Sequence, residues 1–141
     1  MSSRIFWDTN LFIYLLEGKD ARARQALALH DAMTARGDQL FTSALALAEL
    51  LVKPQELGLE ADVRRLEQAV RASARILGFD QRHCRAFATI RCLRGIHSAD
   101  AVHLACAAIE GMDLFVTGDA RLHGKRVEGI QFIVPLERVP L

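Results

Sequence analysis

The stretch IFWDTNLFIYLLEG, residues 5–18, decides the fold that we expect for this chain. Residues 5–7 form a short apolar run of the kind found in buried strands. Asp8 follows at once, and the apolar segment 11–16 has helical character until Gly18 ends it. The stretch therefore predicts a strand that ends in a carboxylate and turns directly into a helix.

Short apolar runs and helical segments continue to alternate along the rest of the chain. Further strands are predicted at residues 40–41, 76–79, 114–116 and 130–134. Further helices are predicted at residues 20–35, 57–76, 81–93 and 98–110, the last capped by Ser98. Another helix is capped by Thr42 or Ser43 and runs through Val52, and Pro54 stops it. This alternation predicts a three-layer α/β/α sandwich with a central, mainly parallel sheet.

Length and composition predict one soluble domain. The chain has 141 residues, of which 51% are hydrophobic, enough to bury a core within a single domain spanning residues 1–141. Its three cysteines are odd in number and lack CxxC spacing, so we expect no disulfide framework and a reducing, cytoplasmic setting. The apolar segment 11–16 is too short for the core of a signal peptide or for a membrane span.

The net charge of +1 hides an uneven distribution of basic residues. Arginines cluster between positions 64 and 94, where only Glu67 and Asp80 oppose them. The cluster comprises Arg64, Arg65, Arg71, Arg75, Arg82, Arg85, Arg91 and Arg94. It fits an electrostatic track for a nucleic-acid backbone, because guanidinium groups bind phosphate in a bidentate fashion. The alternative is an ordinary solvated helix face.

Two acidic residues lie where parallel sheets bind ligands, beyond the carboxyl ends of the strands. Asp8 follows the first predicted strand, and Asp119 follows the strand at 114–116. Both carboxylates can face the same crevice. Each of them also suits the N-cap of the next helix, which is the structural alternative.

Two further carboxylates interrupt apolar helices. Glu49 is the only polar side chain in the run 44–52, which predicts a nearly all-buried helix, and a lone buried carboxylate needs a compensating cation or donors. The alternative is that Glu49 lies on a narrow solvent-facing stripe. Asp100 stands near the start of the apolar helix at 98–110, where it also suits the helix dipole. His103, one turn later, is interpreted as a core histidine.

Convergence on a divalent cation accounts for all of these carboxylates together. The side chains of Asp8, Glu49, Asp100 and Asp119 would repel one another if they were close without a cation. Oxygen ligands favour a hard ion, and the chain has neither a Cys/His cluster for zinc nor a twelve-residue calcium loop. The sequence therefore predicts a site for Mg²⁺ or Mn²⁺.

The ordered set of motifs resembles the PIN-domain ribonucleases, and most closely the VapC-type toxins of bacterial toxin–antitoxin pairs. The motifs are Asp8-Thr9-Asn10 after the first strand, Glu49 in an apolar helix, Ser98-x-Asp100 at the start of an Ala-rich helix, and Thr117-Gly118-Asp119 after a strand. The likeness covers residues 5–134. One departure is Leu122, where this family often has an aromatic side chain.

The resemblance implies a cytoplasmic endoribonuclease that cleaves RNA phosphodiester bonds with water activated by Mg²⁺ or Mn²⁺. By position, the catalytic carboxylates are Asp8, Glu49, Asp100 and Asp119, and the metal ligands among them are Asp8, Asp100 and Asp119. Asn10 and Thr117 support the cluster. The arginines predicted to contact RNA are Arg64, Arg71, Arg75, Arg82 and Arg85. The resemblance also implies a homodimer, an antitoxin protein that inhibits the toxin, and no membrane partner.

Two other functions fit parts of the sequence. A haloacid-dehalogenase-like phosphatase also uses Mg²⁺ and an Asp after its first strand, but it needs a second Asp two residues on, where this chain has Asn10. A catalytically degenerate module of the same fold would bind RNA or a protein without cleaving it. The presence of all four carboxylates argues against that module.

Overall fold

Five short strands form the sheet, and an apolar stretch of the sequence supplies each of them. The structure, a computed structural model, describes residues 2–141. The strands are β1 (Arg4–Trp7), β2 (Gln39–Ser43), β3 (Arg75–Leu77), β4 (Met112–Val116) and β5 (Ile130–Val134). All neighbouring pairs are parallel, and the order across the sheet is β3-β2-β1-β4-β5. The carboxyl end of β1 therefore lies between those of β2 and β4.

Helices cover both faces of this sheet. They are α1 (Thr9–Glu17), α2 (Ala21–Arg36), α3 (Ala44–Glu56), α4 (Glu60–Ser73), α5 (Cys84–Arg91) and α6 (Ser98–Glu110), with short 3-10 turns at Gln81–His83 and Leu136–Arg138. Ile5 and Trp7 pack with α1 to α4, whereas Phe6 between them packs with α5 and α6. These two cores confirm the predicted α/β/α sandwich. In residues 2–141, none of the helices is long and apolar enough to cross a membrane.

Two predicted helix boundaries around Pro54 are wrong. Pro54 lies inside α3, which continues for two more residues although the proline has no N–H to donate within the helix. The final turn is still closed by a hydrogen bond from the Leu57 N–H to the Lys53 carbonyl (3.2 Å). Gly58 then adopts a φ of 69°, which interrupts the helix predicted at 57–76, so α4 begins only after this glycine.

Three smaller differences concern turns next to helices. The helix predicted at 81–93 is a 3-10 turn followed by α5, which ends at Arg91. Ser98 is the first residue of α6 rather than its cap, because the extended backbone at His97 makes that residue the N-cap. β3 starts one residue before the strand predicted at 76–79 and is shorter.

The cysteines differ in accessibility, which gives a direct test of the fold. Cys84 and Cys92 are exposed, Cys106 is buried in α6, and all of them are free thiols. Burial raises the pKa of the Cys106 thiol to about 11, and only a thiolate attacks a disulfide reagent. In the native protein at about pH 8, we expect Cys84 and Cys92 to react rapidly and Cys106 only after unfolding. Mass spectrometry of the labelled peptides identifies which thiols have reacted. Rapid labelling of Cys106 in the native protein would contradict its buried position.

Candidate functional site

β1 and β4 end side by side, and their ends carry the first part of an acidic cluster. Asp8 directly follows β1, and its backbone N–H donates to the Val116 carbonyl at the end of β4 (3.0 Å). The hydroxyl of Thr117, the next residue, donates to Asp8 Oδ2 (2.7 Å). The same hydroxyl oxygen accepts from the backbone N–H of Asp119 (3.0 Å). Thr117 therefore links the two aspartates that follow these neighbouring strands.

Asp8 is a buried carboxylate with a perturbed pKa. It is 6% exposed and caps α1 by accepting a hydrogen bond from the Thr9 N–H (2.8 Å). Burial raises the pKa of this carboxyl group above its ordinary value, and the charge of Asp100 raises it further. His103, Thr117 and Thr9 oppose the rise without cancelling it. A buried carboxylate beside a second carboxylate is a favourable place for a cation.

Arg121 joins Asp119 to a third carboxylate of the cluster, that of Asp100. Its Nε donates to Asp119 Oδ1 (3.0 Å), and its Nη2 donates to Asp119 Oδ2. These hydrogen bonds hold the pKa of Asp119 below its ordinary value. Arg121 Nη2 also lies 3.6 Å from Oδ2 of Asp100, in the first turn of α6. Among residues 2–141, that buried Asp100 oxygen has no hydrogen-bond partner.

Glu49 lies at the rim of the cluster. Its side chain is 38% exposed, and Ala48 beside it is exposed too. The prediction of a nearly all-buried helix at 44–52 is therefore wrong, because α3 buries only one of its sides. Glu49 is nevertheless fixed in place, since its Oε1 accepts from the Thr9 hydroxyl (2.8 Å) and from His103 Nε2 (2.9 Å).

His103 connects Glu49 and Asp8 from inside the fold. The histidine is 2% exposed, and its Nε2 is 3.8 Å from Asp8 Oδ1. Because a carboxylate only accepts, Nε2 carries the hydrogen that bonds Glu49, and Nδ1 forms a hydrogen bond with the Ser43 hydroxyl (2.7 Å). Ser43 Oγ in turn accepts from the Ala46 N–H (3.0 Å). His103 is thus buried, as expected of a core histidine, and it also contacts the site.

The polar residues predicted to support the cluster lie beside it. Thr117 bonds Asp8 as described, and Asn10 Oδ1 accepts from the backbone N–H of Gly118 (2.9 Å). This bond ties the start of α1 to the loop that carries Asp119. Leu122 is fully buried in the core on the α6 side of the sheet. The departure from the family pattern at this position therefore affects core composition rather than the cluster.

Other polar contacts of the cluster carry only weak signals in the sequence. They come from Thr9, Ser43, His103 and Arg121. The spacing of His103 after Asp100 and of Arg121 after Asp119 is the one local signal for them. Ser43 is 60 residues from His103, and only the folded structure brings the two together.

Part of the arginine-rich stretch lies at the opposite edge of the sheet. Arg75 begins β3 and pairs with Glu110 at the end of α6 (3.1 Å). Arg82 and Arg85 line a cavity together with Gly129, which precedes β5 at the same amino edge. These arginines are therefore not brought together with the acidic cluster, and their contact with RNA stays a prediction.

The arginines of α4 are engaged in local ion pairs. Arg64 pairs with Glu60 (3.4 Å), and Arg71 pairs with Glu67 (3.5 Å), one helical turn away in each case. Exposed pairs of this kind contribute little to stability. They do reduce the net positive charge that this helix presents, and the predicted RNA contact of these residues also stays a prediction.

The oxygen donors of the cluster fit a hard divalent cation, although their spacing does not form a complete coordination site. Within residues 2–141, no three acidic, histidine or cysteine side chains are arranged to hold a metal ion. The donors are nevertheless carboxylate oxygens, which Mg²⁺ and Mn²⁺ prefer. Asp8 is buried next to Asp100, one of whose oxygens has no hydrogen-bond partner. Asp8, Asp100 and Asp119 would hold the ion, and Arg121 now bridges the last two.

Fold and site together define a class of protein: a parallel α/β/α sandwich with an acidic cluster at the carboxyl edge of its sheet. The family model described as PIN domain matches residues 5–127, a span that includes every residue of the cluster. The chain therefore belongs to the PIN-domain family. A comparison with curated proteins finds no match.

Several solved structures share the fold. A toxin–antitoxin complex from Klebsiella pneumoniae contains a chain with 21% identity and a TM-score of 0.69, over 89% of this chain and 94% of that one. VapBC2 from Rickettsia felis, bound to a promoter DNA fragment, contains a chain with 16% identity and a TM-score of 0.69, over 94% of this chain and 98% of that one. FitAcB from Neisseria gonorrhoeae contains a chain with 26% identity and a TM-score of 0.63, over 82% of this chain and 87% of that one. These likenesses extend over most of the chain.

Proposed function

We propose that this protein is an endoribonuclease that hydrolyses RNA phosphodiester bonds with the help of Mg²⁺ or Mn²⁺. The observation that carries the proposal is that two carboxylates of the cluster, Asp8 and Asp100, have buried oxygens at the carboxyl edge of the sheet. Asp8 is buried with a raised pKa, and Asp100 has a buried oxygen without a hydrogen-bond partner in residues 2–141. Burial of the ionised Asp8 carboxylate opposes folding by itself, and a bound cation would offset that cost. Membership of the PIN family, whose members are generally nucleases, supports the same function.

The positions of the cluster residues favour different roles in hydrolysis for the aspartates and for Glu49. Asp8, Asp100 and Asp119 would hold the ion, which supplies an acidified water and offsets charge on the phosphate. Glu49 is exposed at the rim, and Thr9 and His103 bond only its Oε1. We propose that its Oε2 would accept a proton from an entering water.

We also infer that the protein is the toxin of a toxin–antitoxin pair. The Klebsiella pneumoniae neighbour was solved as a toxin–antitoxin complex, and the Rickettsia felis neighbour as VapBC2 on promoter DNA. Both likenesses cover most of this chain, and they support an antitoxin partner for it. A short adjacent reading frame encoding a DNA-binding protein would identify that partner. The homodimer and the cytoplasmic location stay predictions.

Cleavage of RNA by the purified protein, freed of any partner, tests the nuclease function. We expect internal cleavage of a structured RNA with Mn²⁺ or Mg²⁺ and none in EDTA. Asp100→Asn should lower the rate by about a hundredfold, because it removes a negative ligand from the buried cluster. Asp31→Asn neutralises an exposed aspartate of α2, and this matched control should cleave like the wild type.

Three outcomes of this experiment would count against the proposal. Cleavage that persists in EDTA would remove the metal from the reaction. Equal rates for the wild type and Asp100→Asn would remove that residue from the site. Binding of RNA without cleavage, with every metal and every RNA offered, would favour the degenerate binding module.

A further inference from the structure

Arg121 supplies a positive charge inside the acidic cluster. Its Nε donates to both oxygens of Asp119, at 3.0 Å from Oδ1 and 3.2 Å from Oδ2. Its Nη2 contacts Asp119 Oδ2 and lies 3.6 Å from Asp100 Oδ2. A single guanidinium therefore spans the carboxylate in the first turn of α6 and the one that follows β4.

The local backbone places Arg121 over the cluster. Asp119 Oδ1 accepts from the backbone N–H of Arg121 (3.0 Å), which folds the arginine back onto the aspartate two residues before it. Asp119 is itself fixed by the bond from its N–H to Thr117. Leu122, directly after the arginine, is fully buried and anchors the far side of the turn. The turn that positions Asp119 thus also positions its counter-ion.

We propose that Arg121 is a built-in counter-ion of the acidic cluster, which a divalent cation must displace in order to bind Asp100 and Asp119. The identity of the ion rests on the proposed function. This inference adds that Arg121 competes with that ion for the carboxylates. The Arg121 side chain is 50% exposed. Its guanidinium can therefore move fully into solvent. Ion pairs at such exposure are weak, which makes displacement by a doubly charged ion favourable.

The unpartnered oxygen of Asp100 shows how Arg121 and a metal ion differ in their contact with this carboxylate. A nitrogen at 3.6 Å is beyond hydrogen-bond distance. Arg121 therefore offsets the charge of Asp100 without bonding its oxygen. Mg²⁺ binds carboxylate oxygens directly at about 2.1 Å. Because the guanidinium and the metal ion repel each other at close range, removal of one favours the other.

Calorimetric titration with Mn²⁺ measures this competition in the absence of RNA. We expect Arg121→Gln to bind Mn²⁺ about fivefold more tightly than the wild type, since one opposing charge at a partly exposed site has roughly that effect. Arg121→Lys keeps the charge but cannot bridge two carboxylates in the same way, so its affinity should be intermediate. Arg126→Gln removes an exposed arginine from the amino edge, and this matched control should titrate like the wild type.

Thermal unfolding in EDTA supplies a second readout that does not depend on metal binding. Without a metal, Arg121→Gln leaves Asp100 and Asp119 without their cation. We expect its melting temperature to fall about 2–4 °C below those of the wild type and Arg126→Gln. Saturating Mn²⁺ should remove this difference, because the ion then replaces the guanidinium.

The outcomes separate this inference from the proposed function. If the wild type binds Mn²⁺ and Arg121→Gln binds it no more tightly, the competition is overturned while the metal site stands. If neither protein binds Mn²⁺ or Mg²⁺, the metal-dependent function and the competition both fail. An equal gain in Arg126→Gln would assign the effect to net charge and would also overturn the inference.

Discussion

Asp8→Asn is expected to lower the rate of RNA cleavage by about a thousandfold while leaving the metal-free protein at least as stable as the wild type. The substitution removes the charge and keeps the shape of the side chain, but its single oxygen can accept from only one of the Thr9 N–H and the Thr117 hydroxyl. Cleavage falls because this buried member of the proposed ligand set no longer attracts an ion. Stability does not fall, because removing a buried charge, the main cause of the raised pKa, outweighs the lost hydrogen bond.

The pH dependence of stability follows from the pKa of Asp8. Burial raises this pKa in the folded protein above that of the unfolded chain, so the folded state holds the proton more tightly. At neutral pH and above, the ionised carboxylate therefore lowers the stability of the metal-free protein. As the pH falls through the raised pKa towards the ordinary value of about 4, this cost disappears. An asparagine does not titrate.

Calorimetric melting in EDTA checks both statements. At about pH 8 we expect Asp8→Asn to melt about 2–5 °C above the wild type, and at about pH 4.5 we expect the two to converge. Mn²⁺ should raise the melting temperature of the wild type and leave that of Asp8→Asn unchanged. Asp31→Asn is again the exposed control. Melting of Asp8→Asn well below the wild type at the higher pH would refute the electrostatic account, and cleavage at the wild-type rate would remove Asp8 from the site.

The strand ends of this protein could be predicted because their signals are local. The apolar residues 5–7 precede Asp8 directly, and the apolar residues 114–116 precede Thr117 and Asp119 in the same way. Parallel strands bring their carboxyl ends to one edge of a sheet whatever the order of the strands. That Asp8 and Asp119 lie at one edge of the sheet therefore required no knowledge of the strand order, whereas their closeness depends on β1 and β4 being neighbours.

Arg121, His103 and Ser43, which surround these carboxylates together with the predicted Thr117, could not be predicted because their contacts depend on tertiary structure. Ser43 and His103 lie 60 residues apart and meet only where α3 and α6 cross the end of β2. The exposure of Glu49 was equally hidden, since the run of alanines and leucines around it does not show which side of α3 faces the core. Alanine is compatible with both environments. The Arg121 side chain returns to the cluster through a turn, for which helical and strand periodicity carry no signal.

Substitution of His103 by glutamine and by asparagine is expected to separate its two contacts. The glutamine amide nitrogen reaches about as far as Nε2 and can still donate to Glu49, whereas the asparagine amide reaches only as far as Nδ1 and Ser43. We expect His103→Asn to lower kcat by about 10–100-fold, the usual effect of losing a residue that orients a site group. His103→Gln should retain a rate within about tenfold of the wild type.

The stabilities of the two variants distinguish positioning from a purely structural role. Each variant removes one of the two hydrogen bonds of the buried His103, that with Ser43 or that with the partly exposed Glu49, at a cost of about 1 kcal/mol, so both should melt below the wild type by similar amounts. If His103 only held the core together, activity would follow stability and the two variants would be equally impaired. A higher kcat for His103→Gln at similar melting temperature assigns the effect to the bond with Glu49. Equal losses of kcat in both variants would show instead that the contact with Glu49 does not contribute to cleavage.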